Sequence, residues 1–330
     1  MLNEYTQDVV RRSVDIGGLG PDHLPQLSAS AFLPGNRLLP GDYEIVERAR
    51  VGEELSTGEE MRLEAVIWPD GLRPAFDVAD DAFLPLPPGW DYINQNAAFI
   101  ERCIRSVGRV EIEGDTEANY AGSAFVVGSN AVLTNRHVAE AIAVGVGVNL
   151  SFLPARPPVV DFKHEIGSAV KLRAKVVDKP IVSEMWDAAI LKLDQLPVGA
   201  SPLPLAGSAP EVIKDRKAVV IGYPALDMRA NVYELAQAIK IFKTFRFKRL
   251  QPGFLVGFEP RSSYGREIKA LTHDCTTMGG NSGSPVVDVE RLCVTGLHFE
   301  GIYKTANFAV PTWDLLPGFL EKTEGLDICH

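Results

Sequence analysis

The sequence predicts a mainly β architecture from residue 95 onward, preceded by a mixed α+β N-terminal region, on three observations. The segments Gly122 to Val127, Ala131 to Thr134, Val170 to Val177, Ala188 to Leu193, Ala218 to Gly222 and Pro285 to Val289 are short and rich in β-branched residues. Gly, Pro, Asn or Asp separates them, the punctuation of strands joined by turns, and such spacing argues for an antiparallel sandwich or barrel. Before residue 95 the character differs: Phe83-Leu84-Pro85-Leu86-Pro87-Pro88-Gly89-Trp90 resists regular structure and suits a linker. Two domains follow as an expectation, residues 1 to 94 and residues 95 to 330.

In chain order, Glu4 to Val14 predicts a helix, and Glu44 to Val51 and Met61 to Trp68 read as strands. Ile93, Ala97, Ile100 and Ile104 lie at helical spacing, so Tyr92 to Val107 predicts a connecting helix. The basic run Lys240 to Arg249 partly alternates with aromatic and aliphatic residues and predicts a β-hairpin with one solvated face.

With 330 residues, 33 basic against 43 acidic side chains and a net charge of −10, the chain can build a sizeable core. The same charge disfavours nucleic acid or an anionic membrane as partner. Met1 to Asp8 carries two acids in place of a basic, apolar leader, so the expected location is the cytoplasm. The best spanning candidate, Val138 to Leu153, is interrupted by Glu140 and Asn149. Cys103, Cys275, Cys293 and Cys329 lack metal-binding spacing and are expected as reduced thiols, a Cys275–Cys293 bridge being the alternative. No metal or organic cofactor is expected.

Three segments carry chemistry. Gly279-Gly280-Asn281-Ser282-Gly283-Ser284-Pro285 supplies a hydroxyl on a tight turn, where glycines let the amides of Gly280 and Ser282 converge on a developing oxyanion. Such a string alone would be only a turn. Val132-Leu133-Thr134-Asn135-Arg136-His137 delivers a histidine past a strand end, which makes His137 the candidate base, while His23, His164, His273 and His330 read as structural. Trp186-Asp187-Ala188-Ala189-Ile190-Leu191 opens an apolar strand with an acid able to orient an imidazole. Asp161, Asp178 and Asp194 sit in polar or turn contexts.

The order His137, Asp187, Ser282 is that of chymotrypsin-type enzymes. Together with Val220-Ile221-Gly222-Tyr223-Pro224 and Asn307-Phe308-Ala309-Val310-Pro311, these motifs resemble the trypsin-like serine peptidases, bacterial members above all. The resemblance spans roughly residues 100 to 325. It implies a chymotrypsin-like double antiparallel β-barrel closed by a helix near Trp313 to Lys322. It also implies a serine endopeptidase acting on protein or peptide substrates, with His137, Asp187 and Ser282 as triad and Gly280 and Ser282 as oxyanion hole.

Thr276-Thr277-Met278-Gly279 and Gly296-Leu297-His298 resemble the glutamyl endopeptidase branch. That likeness implies that Thr277 and His298 line the specificity pocket, that Phe299 and Gly301 pair with an extended substrate, and that an acidic residue precedes the scissile bond. Glu300 opposes such an acid. Asn281 lacks the charge that relatives activated by a new amino terminus carry at this place. Residues 1 to 94 are expected as an inhibitory prosegment, a sensor or a docking module for a regulatory partner. The alternative to an enzyme is a catalytically silent binding scaffold on the same fold.

Overall fold

The computed structural model describes residues 73–86, 89–112, 120–225, 241–264, 266–302 and 306–329. The helix expected over residues 4–14 and the strands over 44–51 and 61–68 lie outside these residues.

The chain runs β1 (Phe76–Asp77), α1 (Asp91–Gln95), α2 (Ala97–Arg105), β2 (Val107–Ile112), β3 (Tyr120–Gly128), β4 (Ala131–Thr134) and α3 (Arg136–Ile142). Next come a small ribbon of β5 (Val144–Val146) and β6 (Asn149–Ser151), then β7 (Pro158–Asp161), β8 (Arg173–Val182) and β9 (Ala189–Leu193). The second half holds β10 (Leu205–Ala206), β11 (Lys217–Gly222), β12 (Arg249–Ser263), β13 (Arg266–His273), β14 (Pro285–Asp288) and β15 (Cys293–Ile302). It ends with β16 (Ala306–Pro311), α4 (Thr312–Leu315) and β17 (Ile328–Cys329).

Strands β2-β3-β4-β9-β8-β7 close into an antiparallel barrel. In the second sheet the path β14-β11-β12-β13-β16-β15 returns on itself through the β14–β15 pairing, which makes a second ring of six. The double barrel and the mainly β class are therefore as the sequence predicts. Five of the strand segments expected from composition coincide with β3, β4, β9, β11 and β14 to within two residues, and Val170 to Val177 overlaps β8, which begins at Arg173 and runs on to Val182.

Alternation along the strands decides what each face covers. On β3, Ala124 and Val126 point into the first barrel, whereas Phe125 and Val127 join the larger core between the barrels. On β11, Ala218 and Val220 fill the second barrel, while Val219 and Ile221 face the same seam. Strands buried on both faces read as continuous apolar runs, which explains their legibility in the sequence. The helix predicted over Tyr92 to Val107 is present as α1 and α2, with Ile93, Ile100 and Ile104 fully buried.

Polar staples also cross the seam. The Tyr223 hydroxyl lies 3.2 Å from the Asp161 carbonyl, and the buried Lys248 ammonium donates to Ile104 O (2.8 Å), Phe162 O (2.7 Å) and Glu165 Oε1 (3.0 Å). This overturns the expected hairpin over Lys240 to Arg249: residues 243–248 form no strand, and Lys248 and Arg249 are fully buried. Their charges can enter because carboxylates and carbonyls receive them, Glu165 for Lys248, and Asp77, Phe242 O and Thr244 O for Arg249. The closing helix expected over Trp313 to Lys322 is also shorter. α4 ends at Leu315, and Pro317 (ψ 127°) and Gly318 (φ 74°) break the following turn. Arg73 and β1 lie against the second barrel, where Phe76 pairs with Leu250 and the buried Arg73 guanidinium meets Asp274 at 2.8 Å. Among the described residues, no helix is long and apolar enough to cross a membrane.

Lys248→Met leaves Glu165 short of one cation and two carbonyls without a donor. Urea unfolding is expected to show a loss of about 3 kcal/mol, since Lys163 still reaches Glu165, and Lys248→Met with Glu165→Gln is expected to recover part of it.

Candidate functional site

The site forms where the end of β4, the end of the β8–β9 turn and the loop before β14 meet at the seam. Asn135 adopts extended torsions before α3 (φ −78°, ψ 154°), and its Nδ2 donates to the Asp187 carbonyl at 2.8 Å. This tie carries the β9 entry to the first turn of α3. Asp187 then grips His137 twice: Oδ1 accepts the His137 main-chain N–H at 3.1 Å, and Oδ2 lies 2.7 Å from Nδ1. A carboxylate can only accept, so Nδ1 carries a hydrogen, and in the neutral tautomer this leaves the lone pair on Nε2. The imidazole is 42% exposed and the carboxylate 7%, which leaves the ring open to the crevice while its acid is sheltered.

Ser282 is held from the first barrel. Its carbonyl accepts the Ser123 N–H at 2.8 Å, and the Gly283 N–H donates to His298 O at 2.9 Å. Gly122 marks how closely the two halves approach, because a Cβ there would lie 2.7 Å from Val138 Cγ2 and 2.8 Å from Ser282 O. Val138, the residue after His137, and Ser282 thus flank one glycine. Gly283 (φ +89°) has no room either, its Cβ falling 1.9 Å from Ser123 O.

The turn itself is oriented by its carbonyls. Gly279 O accepts the Ala225 N–H, Gly280 O accepts the Ser123 hydroxyl at 2.8 Å, and the Tyr120 hydroxyl lies between Gly280 O and Tyr223 O with one hydrogen to share. In a trans peptide the C=O and N–H point in opposite directions, so the Gly280 N–H turns away from Ala225. Asn281 is buried and exchanges two 3.0 Å hydrogen bonds with Gln251. The neutral amide pair supplies that side chain with partners from its own barrel.

Thr277, His298 and Gly301 gather near Asn307 on β16. Thr277 Oγ1 donates to Asn307 Oδ1 at 2.5 Å, and a Cβ on Gly301 would lie 2.5 Å from the same oxygen. His298 is buried, with Nδ1 3.2 Å from Nε2 of His273. Burial lowers the His273 ring to about 3, and burial followed by the neighbouring His273 and His137 holds His298 well below the usual imidazole range. Both rings are therefore neutral near pH 7. Phe299 lies at the bulge between His298 and Glu300. Glu300 is engaged by Arg261 at 2.8 Å, which offsets its charge.

Sequence reasoning missed several of these partners. Tyr120, Ser123 and Gln251 carry no motif of their own, Asn307 opens a motif that marked a late strand but not a site residue, and His273 reads as an ordinary core histidine until β13 sets it opposite Asn307. Glu111, Asp161 and His164 bring ligand atoms within 4.8 Å of one another. Arg109 and Arg173 already occupy the Glu111 oxygens, so the cluster reads as an ion-pair network. All four cysteines are free, and Cys275 and Cys293 form no bridge.

Comparison with known proteins gives consistent matches. The model of the trypsin-like peptidase domain matches residues 122–297, more than half of the chain. A Lysobacter enzymogenes chain named "Probable serine protease" is 27% identical over 295 residues, 81% of this chain and 76% of that one. A mitochondrial Do-like protease of Arabidopsis thaliana is 27% identical over 202 residues, 59% of this chain and 33% of its own length. Among solved structures, the active form of the Rv3671c protease from M. tuberculosis is 19% identical, covering 77% of this chain and 95% of that chain at a TM-score of 0.46.

The neutral histidine pair predicts how stability depends on pH. The unfolded ring of His273 takes up a proton below about 6.5 while the folded ring resists until about 3, so the unfolded state binds more protons in that window. The contribution is complete above about 6.5 and lost as pH falls toward 3. Thermal melts at a series of pH values should show this slope for the native chain and a shallower one for His273→Gln.

Proposed function

Since the chain belongs to the family of the trypsin-like peptidase domain and is a serine endopeptidase, we propose that its hydrolysis is carried by His137, Asp187 and Ser282. The observation that carries this reading is the double grip of Asp187 on His137, with Ser282 seated across Gly122 from the helix that bears the imidazole. His137 Nε2 takes the Ser282 hydroxyl proton as Oγ attacks the scissile carbonyl. The N–H groups of Gly280 and Ser282 receive the oxyanion, and the imidazolium then protonates the leaving amine. Water, activated by the same imidazole, releases the acyl group. None of these steps calls for a metal or an organic cofactor.

For the residue before the scissile bond we propose a side chain of glutamate's length whose terminal oxygen accepts from His298, with Thr277 beside it. The likeness to the glutamyl branch suggests this length, which glutamate and its isosteric amide glutamine share. The Arg261–Glu300 pair supports it by removing the opposing charge at the rim. Phe299 and Gly301 are proposed to pair with the substrate backbone as an added strand. Residues 1 to 94 are proposed as a regulatory, pro- or docking region whose last part, from Arg73, is anchored beside the loop that bears Thr277.

A fluorophosphonate probe is expected to label the native chain and not Ser282→Ala, which also loses turnover. Labelling that persists in the variant overturns the assignment, and a native chain that never labels favours a silent scaffold. Asp187→Asn, which keeps the shape but reverses the tautomer, is expected to lower kcat by about 10⁴-fold. Among matched peptides with Glu, Gln, Leu, Ala or Arg before the bond, both side chains of glutamate's length should be cut faster than Leu, Ala or Arg, and a faster Leu or Arg substrate removes the pocket reading.

A further inference from the structure

The hydrogen-bond roles in the pocket floor are fixed by what lies behind it. Asn307 Nδ2 is 2.8 Å from the Cys275 carbonyl, which can only accept. The amide is therefore oriented, its Oδ1 faces Thr277, and the 2.5 Å contact must use the one hydrogen of the Thr277 hydroxyl. What Thr277 offers to a bound side chain is lone pairs, so it acts as an acceptor.

The histidine pair fixes the complementary atom. Only one of His273 Nε2 and His298 Nδ1 can carry the shared hydrogen. His273 Nδ1 is buried without a partner, whereas His298 Nε2 is not among the buried unpartnered atoms of the described residues. An orphaned buried N–H is rarer in folded proteins than an orphaned lone pair. The favoured tautomer therefore puts the hydrogen on His273 Nε2, leaves His273 Nδ1 bare, and places the hydrogen of His298 on Nε2. His298 is then a neutral donor. Register sets these groups on one side of the sheet, because His273 pairs with Asn307, Gly301 also pairs with Asn307, and His298 pairs with Ala309, two residues along β16.

One neutral donor beside one acceptor matches a carboxamide, whose oxygen accepts and whose NH2 donates. A carboxylate has acceptors only: one oxygen would meet His298 Nε2–H, and the other would face the lone pairs of Thr277, with no cation among the described residues of the floor to offset its charge. Resting on the pocket reading given above, we infer that this site selects glutamine over glutamate before the scissile bond, with Asn307 the residue that sets the choice by fixing the role of Thr277.

Two peptides differing only in Gln or Glu at that place test it with the full chain at neutral pH. The ratio of kcat/KM is expected to favour Gln by about 10 to 100-fold. Thr277→Val, which removes the acceptor, should bring the ratio close to 1, and Thr277→Ser, which keeps it, should restore the preference. Glu cut as fast as Gln, or a ratio that survives Thr277→Val, overturns the inference. Binding of the same intact peptides to Ser282→Ala, read by calorimetry, reports the pocket without turnover: tighter Gln binding supports the inference, and equal binding overturns it while leaving the triad untouched. Turnover that persists in Ser282→Ala instead overturns the triad and leaves the binding ratio to judge the pocket.

Discussion

The molecule turns on the contact between one strand of the first barrel and one loop of the second. Ser123 on β3 donates its main-chain N–H to Ser282 O and its hydroxyl to Gly280 O, so a single residue fixes both sides of the turn that bears the hydroxyl. Glycine at 122 and 283 is required because the two backbones approach more closely than any Cβ allows. A hydroxyl on one barrel and an imidazole on the other can meet only if the barrels are held in one relative position. The apolar seam supplies the bulk of that constraint, and the Ser123 contacts supply its register.

Polar groups inside this fold are sheltered by pairing. Lys248 reaches across the seam to Glu165 and two carbonyls, Asn281 pairs with Gln251, and Arg73 meets Asp274. Each would be costly alone, and each instead fixes a relation between segments distant in sequence. The turn before β14 is thereby held by neutral amide bonds from its own barrel, without an inserted charge.

The same logic reaches the pocket. Asn307 and His273 stand behind Thr277 and His298, and neither is expected to touch a substrate. In the proposed pocket they would act by deciding where hydrogens sit: the Asn307 amide fixes the Thr277 hydroxyl, and His273 fixes the shared hydrogen with His298. Glu300, which alone would repel an acid, is quieted by Arg261.

What the sequence by itself determined was six of the strands, an antiparallel sandwich or barrel, and the order of the three chemical segments, the double barrel being what the family resemblance added. Apolar runs buried on two faces, and glycines required by close approach, leave local marks at β3, β11 and residues 279–283. The helix over 91–105 was legible for a similar reason, since the period of Ile93, Ile100 and Ile104 is a local property. The tertiary structure alone decided that Lys248 and Arg249 lie inside and that His273, Gln251 and Asn307 pair with His298, Asn281 and Thr277, whereas the end of the closing helix at Pro317-Gly318 was a local signal that the sequence reading passed over. A side chain's worth at these positions depends on a partner tens or hundreds of residues away, and pairing at that range has no local period or motif to announce it.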